Sequence, residues 1–285
     1  MQEKRYPVEG QDTLLPFLLD HVAGKSRNSV KSLLTRGQVQ VDGKTITRHD
    51  HPLTPGQTVT VLPQGAGDGK APFPILWEDG RLLVIEKPAG LLSMASDKEK
   101  NRTAYRLATD YVRRADPRAR VFIVHRLDRD TSGVLLFAKD EGTKRAFQDK
   151  WDALVSRRGY LAVVEGAPPE ERGTIRTLLR ENAAHKVYSV RSGGKEAVTH
   201  YTTLARGKKY ALLEVDIDTG RKNQIRAHLS ELGCPVVGDR DYGAATDPLG
   251  RLCLHAHELT LTDPFSGEVR TFRAEAPAGF RRLAR

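Results

Sequence analysis

The chain has 285 residues, 46 of them Lys or Arg against 36 Asp or Glu, for a net charge of +10 at pH 7. With 29% charged and 39% hydrophobic residues, it reads as a soluble globular protein of one large or two unequal domains, with a polyanion as a plausible partner. Two cysteines, Cys234 and Cys253, exclude a disulfide framework or a zinc site by spacing. No run reaches the ~18 apolar residues of a membrane span, and MQEKRYPVEGQD lacks a signal peptide's apolar core, so the cytoplasm is the default.

In chain order, TLLPFLLDHVAG places Leu14, Leu15, Leu18, Leu19 and Val22 at helical spacing, with Pro16 tolerated in the first turn. Ser26 can cap a second helix, RNSVKSLLTR, which Gly37 stops. QVQVDGKTIT alternates around an Asp42-Gly43 turn, a hairpin signal, and PGQTVTVL supplies a further strand. Between Gly24 and Arg48 lie six basic residues (Lys25, Arg27, Lys31, Arg36, Lys44, Arg48) and one acidic residue, Asp42. A small helix pair and hairpin with that surface suits backbone phosphate, whereas a plain solvated helix face would need no such clustering.

The stretch PQGAGDGKAPFP (63–74) is almost all Pro, Gly, Ala and charge, and reads as a linker. Beyond it, ILWEDGRLLVIEKP predicts two strands around a turn and TAYRLATDYVRR an amphipathic helix. VFIV and VLLFAK predict strands, RAFQDKWDAL a helix, and RGYLAVVEG and YALLEVDI strands. NQIRAHLSELG predicts a helix stopped by Gly233, and ELTLTDPFSGEVRTFRAEAP a hairpin. Strands and helices do not alternate one for one, so the expected class is α+β, built on a mixed, largely antiparallel sheet flanked by helices.

Between VFIV and VLLFAK sits HRLDRDTSG (125–133), three kinds of charge or polarity between two apolar runs. Asp-Thr-Ser-Gly alone is ordinary turn chemistry. A carboxylate buried there is costly unless a cation accompanies it, and Arg126, Arg129, Arg221 and Arg226 are the candidates. Residues alone leave turn and site both open.

The front segment, KSRNSVKSLLTRGQVQVDGKTI with the PGQTVTV strand, resembles the small RNA-binding module named after ribosomal protein S-four, the alpha-L motif. HRLDRDTSGVLLFAK resembles the signature of the RluA-type pseudouridine synthases. Further segments resemble that family in order: EDGRLLVIEKPAGL (78–91), RGYLAVVEG (158–166), TGRKNQIRAHLSELGCPVVGDRDYG (219–243) and LCLHAHELTLTDPFSGE (252–268). The resemblance implies an S-four-like domain over 1–62, a linker over 63–74 and a catalytic domain over 75–285. It departs from the family at Asn223, where His is usual, at Asp263, where His is frequent, and at Arg158, where Lys is common.

The resemblance implies that uridine in structured RNA is isomerised to pseudouridine without a cofactor or metal. Asp128 would be the catalytic aspartate, attacking C1′ or taking the 2′ proton, and the sequence leaves both routes open. Arg226 would pair with it through a planar guanidinium and keep it ionised. Tyr160 would meet the uracil, and Arg126 would fill the gap left by a flipped nucleotide. Arg129, Arg221 and Asn223, with Lys25, Arg27 and Lys31 of the front module, are expected to bind RNA. His125 reads as structural, since no metal-ligand partner is spaced near it. The expected partner is RNA, ribosomal ahead of transfer RNA, for a cytoplasmic monomer. A non-catalytic binding factor would sit more easily with the loss of Asp128, Tyr160 or Arg226, and all are present. A glycosidase would need a second placed carboxylate, and a metal nuclease clustered acidic ligands.

Overall fold

The computed structural model describes residues 3–22, 24, 26–35, 37–62, 71–96, 99 and 102–285. The chain forms two compact units, Met1–Pro72 with Met94–Val121, and Phe73–Ser93 with Phe122–Arg285.

In the first unit, β1 (Lys4–Pro7) and β2 (Asp12–Thr13) lead into α1 (Leu14–His21) and α2 (Arg27–Thr35), followed by β3 (Val39–Val41), β4 (Lys44–Thr45), β5 (Pro52–Leu53) and β6 (Thr58–Val61). Leu14, Leu15, Leu18, Val30, Leu33 and Leu34 turn inward with Val39, Val41 and Val59, so the apolar spacing of both helices is used for one core. The Ser26 hydroxyl accepts the Ser29 N–H at 3.3 Å, as a helix N-cap does. Asp42 and Gly43 both have positive φ (48° and 79°), the geometry of a two-residue hairpin turn between β3 and β4.

The second unit begins with β7 (Ile75–Glu78) and β8 (Leu82–Lys87); α3 (Ala104–Val112) belongs to the first. After it come β9 (Phe122–Ile123), β10 (Ser132–Ala138), α4 (Glu141–Asp149), α5 (Trp151–Leu154), β11 (Val155–Glu165), β12 (Arg172–Glu181), β13 (Val187–Val190), β14 (Lys195–Arg206) and β15 (Tyr210–Ile217). The chain closes with α6 (Gln224–Glu231), β16 (Leu254–Thr262), β17 (Val269–Arg273) and α7 (Ala278–Leu283). The described strands form one sheet, ordered β13-β12-β14-β15-β11-β16-β10-β8-β7, with β17 on β16 and β9 on β10. Its pairs are antiparallel except β10 with β16, which run parallel through Ser132↔His255 and Gly133↔Ala256. The expected α+β class with a largely antiparallel mixed sheet is what the chain adopts.

Every residue of β10 is buried, which is why its sequence reads as a continuous apolar run and not an alternation. Gly133 has φ +119°, and a Cβ there would lie 2.0 Å from the Ala256 carbonyl oxygen. Only glycine allows β10 and β16 to approach at that point. Two expectations are corrected. RAFQDKWDAL is two helices broken at Lys150, and VFIV contributes only Phe122–Ile123 as strand. The long ribbon β12–β13–β14 was not anticipated.

Candidate active site

Residues 124–131 connect β9 to β10, which pair antiparallel, and the polar side chains of HRLDRDTSG and its surroundings fix this connection in place. His125 Nε2 accepts the Leu136 N–H at 3.0 Å, its ring 5.1 Å from that of Trp151. Burial pulls its pKa down to about 3, so it stays neutral and keeps that acceptor. The buried Ser93 hydroxyl donates to the Leu127 carbonyl (2.6 Å) and accepts the Leu127 N–H (3.0 Å). Lys87, fully buried, donates to the carbonyls of Leu91 (2.7 Å), Arg129 (2.9 Å) and Pro88 (3.0 Å). Burial lowers its pKa to about 7, against the opposing pull of Asp130 and Asp128. At the end of the loop, Ser132 bonds His255 Nδ1 (2.7 Å) and accepts from Arg251 Nη2 (2.7 Å). A solvated turn would need none of these buried partners.

The loop thus held presents Asp128 to a cavity of about 200 Å³ lined by Arg126, Asp128, Tyr160, Arg221, Asn223 and Arg226, among others. Asp128 is half-buried. Its pKa is raised, chiefly by burial; Arg226, Arg126, the nearby Asn223 backbone N–H and Lys222 oppose the rise. Tyr160 comes from β11, where the register against β16 shifts between Gly159↔Glu258 and Tyr160↔Ala256. Such an irregularity re-aims a side chain beside a site. Burial and the neighbouring Asp128 push the phenol up to about 12, with Arg158 pulling the other way, so Tyr160 is a neutral donor.

Arg226 lies on α6, 9% exposed. Its Nε and Nη2 donate to the two oxygens of Asp239 at 2.6 and 2.7 Å, and its Nη1 donates to Asn223 Oδ1 at 2.9 Å. The expected bidentate partner, Asp128, is therefore replaced by Asp239, which is 2% exposed. Arg226 reaches Asp128 through its field and not through its fork, because a buried guanidinium takes the carboxylate already desolvated beside it. Nor does it win: burial outweighs it, and Asp128 is not held below the usual carboxylate range. Asn223 precedes α6 with φ +51°, a left-handed conformation that Asn tolerates, and its side chain serves Arg226 instead of capping the helix.

The other expected residues divide. Arg126 is exposed at the cavity wall. Arg221 lines the cavity while its Nε donates to the Glu196 carbonyl at 2.9 Å. Arg129 turns outward to pair with Asp130 at 3.1 Å and does not line the cavity. Arg27 and Lys31 are exposed one helical turn apart on α2; Lys25 and Arg36 lie outside the described residues. Arg48 pairs with Asp50 at 3.1 Å, which offsets its charge. Sequence reasoning missed Lys87, Ser93, Asp239, Arg251 and His255. Lys87 had one signal, a lysine closing the apolar strand LLVIEK; Asp239 lay unremarked in GDRDYG.

A loop carboxylate, a strand tyrosine and a helix arginine thus share one cavity, an arrangement suited to an enzyme acting on a nucleoside. The chain belongs to the RNA pseudouridylate synthase family, whose model matches residues 81–231. It is 33% identical over 94% of its length, and 86% of the relative's, to an uncharacterized RNA pseudouridine synthase of Synechocystis sp.. It is 35% identical to the ribosomal large subunit pseudouridine synthase D of Xanthomonas campestris, over 90% of this chain and 83% of that one. The solved structure of human RNA pseudouridylate synthase domain containing 4 is similar with a TM-score of 0.61 and 25% identity, over 73% of this chain and 90% of that chain. The chain is an RluA-type RNA pseudouridine synthase, an isomerase that converts uridine in RNA to pseudouridine.

Proposed function

We propose that Asp128 carries the reaction, that Tyr160 and Arg226 complete the site, and that the substrate is ribosomal RNA. The observation that supports this best is the placement of Asp128: its carboxylate lines one cavity with Arg126, Arg226 and the neutral phenol of Tyr160. In the reaction the C1′–N1 bond breaks and uracil leaves with the electron pair. Ionised Asp128 either bonds C1′ or takes the 2′ proton. The base turns, C5 bonds C1′, the C5 proton is released and N1 gains one, so the product is an isomer. Tyr160 donates a hydrogen bond and packs on the ring; at a pKa of about 12 it is not a base in its own right. Arg226, locked by Asp239, supplies fixed positive charge close to the reacting carboxylate. Arg126 occupies the position vacated by the flipped nucleotide.

Ribosomal RNA is favoured by the name of the Xanthomonas relative. The S-four-like module (1–62), joined through 63–74 to the catalytic domain (75–285), provides salt-sensitive affinity through Lys25, Arg27 and Lys31, while Arg129, Arg221 and Asn223 contact RNA near the site. The protein acts as a cytoplasmic monomer; among the described residues no helix is long and apolar enough to cross a membrane. The test is tritium release from RNA labelled at uridine C5. Release from ribosomal RNA by the native chain, abolished in Asp128→Asn, is expected. Release confined to transfer RNA would overturn the substrate, and undiminished release by the variant would overturn the role of Asp128.

A further inference from the structure

A second cavity of about 320 Å³ adjoins the first, and the two share Arg126, Tyr160, Ile217, Gly220 and Arg221 as walls. Nothing in the reaction on one uridine uses it. Its far side is formed by Trp151, Asp152, Arg158 and Asp218. Trp151 is half-buried, backed by the neutral ring of His125, which the backbone of β10 holds in place. An indole so fixed is a ready stacking surface for a nucleobase, and every base has a face to offer it. Arg158 donates to the Asp218 carbonyl and so ties β11 to the segment leading into α6. A Cβ on Gly220 would lie 3.2 Å from Arg158 Nη1, so the chain passes close to the guanidinium there.

The rim carries both kinds of hydrogen-bonding group: Arg126, Arg158 and Arg221 bring donors, and Asp152, next to Trp151 in the chain, and Asp218 bring acceptors. Asp152 is exposed, with no side-chain partner among the described residues, and Asp218 gives one oxygen to His200 Nε2 at 3.0 Å. Ionised carboxylates only accept. A base stacked on Trp151 therefore meets arginine donors that suit its carbonyl oxygen or ring nitrogens, and at Asp152 an acceptor that calls for donors. Uracil presents one, its N3–H, flanked by two carbonyl oxygens that the carboxylates repel. Guanine presents N1–H and N2–H side by side, the spacing that a single carboxylate accepts in bidentate fashion. The cavity is also the larger of the two, as a purine requires.

We propose that this cavity is a specificity subsite that receives a guanine adjacent to the target uridine, stacked on Trp151 and read by Asp152. The proposal rests on Asp128 marking the uridine site next door, and it extends that reading from the reacting nucleotide to its neighbour. It predicts that the enzyme chooses uridines by immediate sequence as well as by RNA shape.

The test uses the full chain carrying Trp77→Phe, which leaves Trp151 as the only tryptophan. Four single-stranded RNA heptamers are compared, each with one C5-tritiated uridine flanked on both sides by G, A, C or U. Quenching of Trp151 reads binding, and tritium release is counted in the same tubes. The expected result is quenching by all four, with the G-flanked RNA binding about tenfold more tightly than the U-flanked one. Asp152→Asn should erase that preference while quenching persists, and Asp152 is exposed, so the variant folds. Equal affinities for the four RNAs, no quenching by any, or a G preference that survives in Asp152→Asn would each overturn the subsite. Tritium release together with equal affinities would sink the subsite and leave the role of Asp128 standing. A G preference lost in Asp152→Asn with no release from any heptamer would sustain the subsite and count against the catalytic reading.

Discussion

Of the aspartates around Arg226, Asp241 is exposed and 3.6 Å from Nη2, while the structure assigns Asp239 and Asp128 opposite effects on stability. Asp239 shares two hydrogen bonds of 2.6 and 2.7 Å with the guanidinium, in a pair 2% and 9% exposed. Charge-assisted hydrogen bonds contribute about 1.5–3 kcal/mol each, and breaking a buried pair costs about 3–5 kcal/mol because the remaining charge loses its buried counter-charge; here Arg226 would be left with Asn223 and the exposed Asp241 at 3.6 Å. Asp239→Ala should therefore destabilise the catalytic unit by about 3–5 kcal/mol. Asp128 differs, because burial raises its folded pKa. It binds its proton more tightly folded than unfolded, so its contribution is greatest below the unfolded pKa and is lost as pH rises through the folded one. At neutral pH its charge opposes folding, and Asp128→Asn should leave stability unchanged or increase it. Urea unfolding at pH 7.5, followed by tryptophan fluorescence, reads the catalytic unit, since both tryptophans, Trp77 and Trp151, lie there. A cost below about 1 kcal/mol for Asp239→Ala, or an equal cost for the two variants, would refute the assignment of Arg226 to Asp239.

The raised pKa of Asp128 places the acid limb of the kcat/KM profile above the ordinary aspartate range of about 3.9; a limb at or below that value in a pH series would contradict it. Lys87 has a folded pKa of about 7 against an unfolded value of about 10.4, so between these pH values only the unfolded chain holds the proton. Stability should rise across that window by up to about 1.4 kcal/mol per pH unit, and Lys87→Met should flatten the rise in urea titrations at pH 7 to 10. Replacing Lys25, Arg27 and Lys31 together by Ala should reduce the slope of log affinity against log salt by about 2–3, measured by filter binding; an unchanged slope would place the RNA anchor elsewhere. Gly133→Ala should cost stability and activity together, since its Cβ would meet the Ala256 carbonyl at 2.0 Å, and a native melting temperature would contradict that contact.

What the sequence made legible was local. The Asp42-Gly43 hairpin, the Ser26 cap and the buried run of β10 each follow from a few adjacent residues, and each is present. The HRLDRDTSG loop could be located but not explained, because the groups that hold it (Lys87, Ser93, His255) come from distant segments. The same limit misassigned the fork of Arg226. Asp128 and Asp239 both had the right chemistry, and only the fold decides which of them faces the guanidinium. The ribbon β12–β13–β14 escaped notice because it lies at the sheet edge, where only one residue of β12 is buried and apolar patterning is weak.

The parallel contact between β10 and β16 carries a consequence for the order of events during synthesis. Ser132 and Gly133, which close the catalytic loop, pair with His255 and Ala256, more than a hundred residues later. Arg251, which grips Ser132, emerges just before them. As the chain leaves the ribosome, Asp128 is exposed long before the strand that anchors its loop has been made. The loop that carries Asp128 thus gains its anchor only after more than a hundred further residues have been made, and until then a nascent chain beside ribosomal RNA presents that carboxylate unheld.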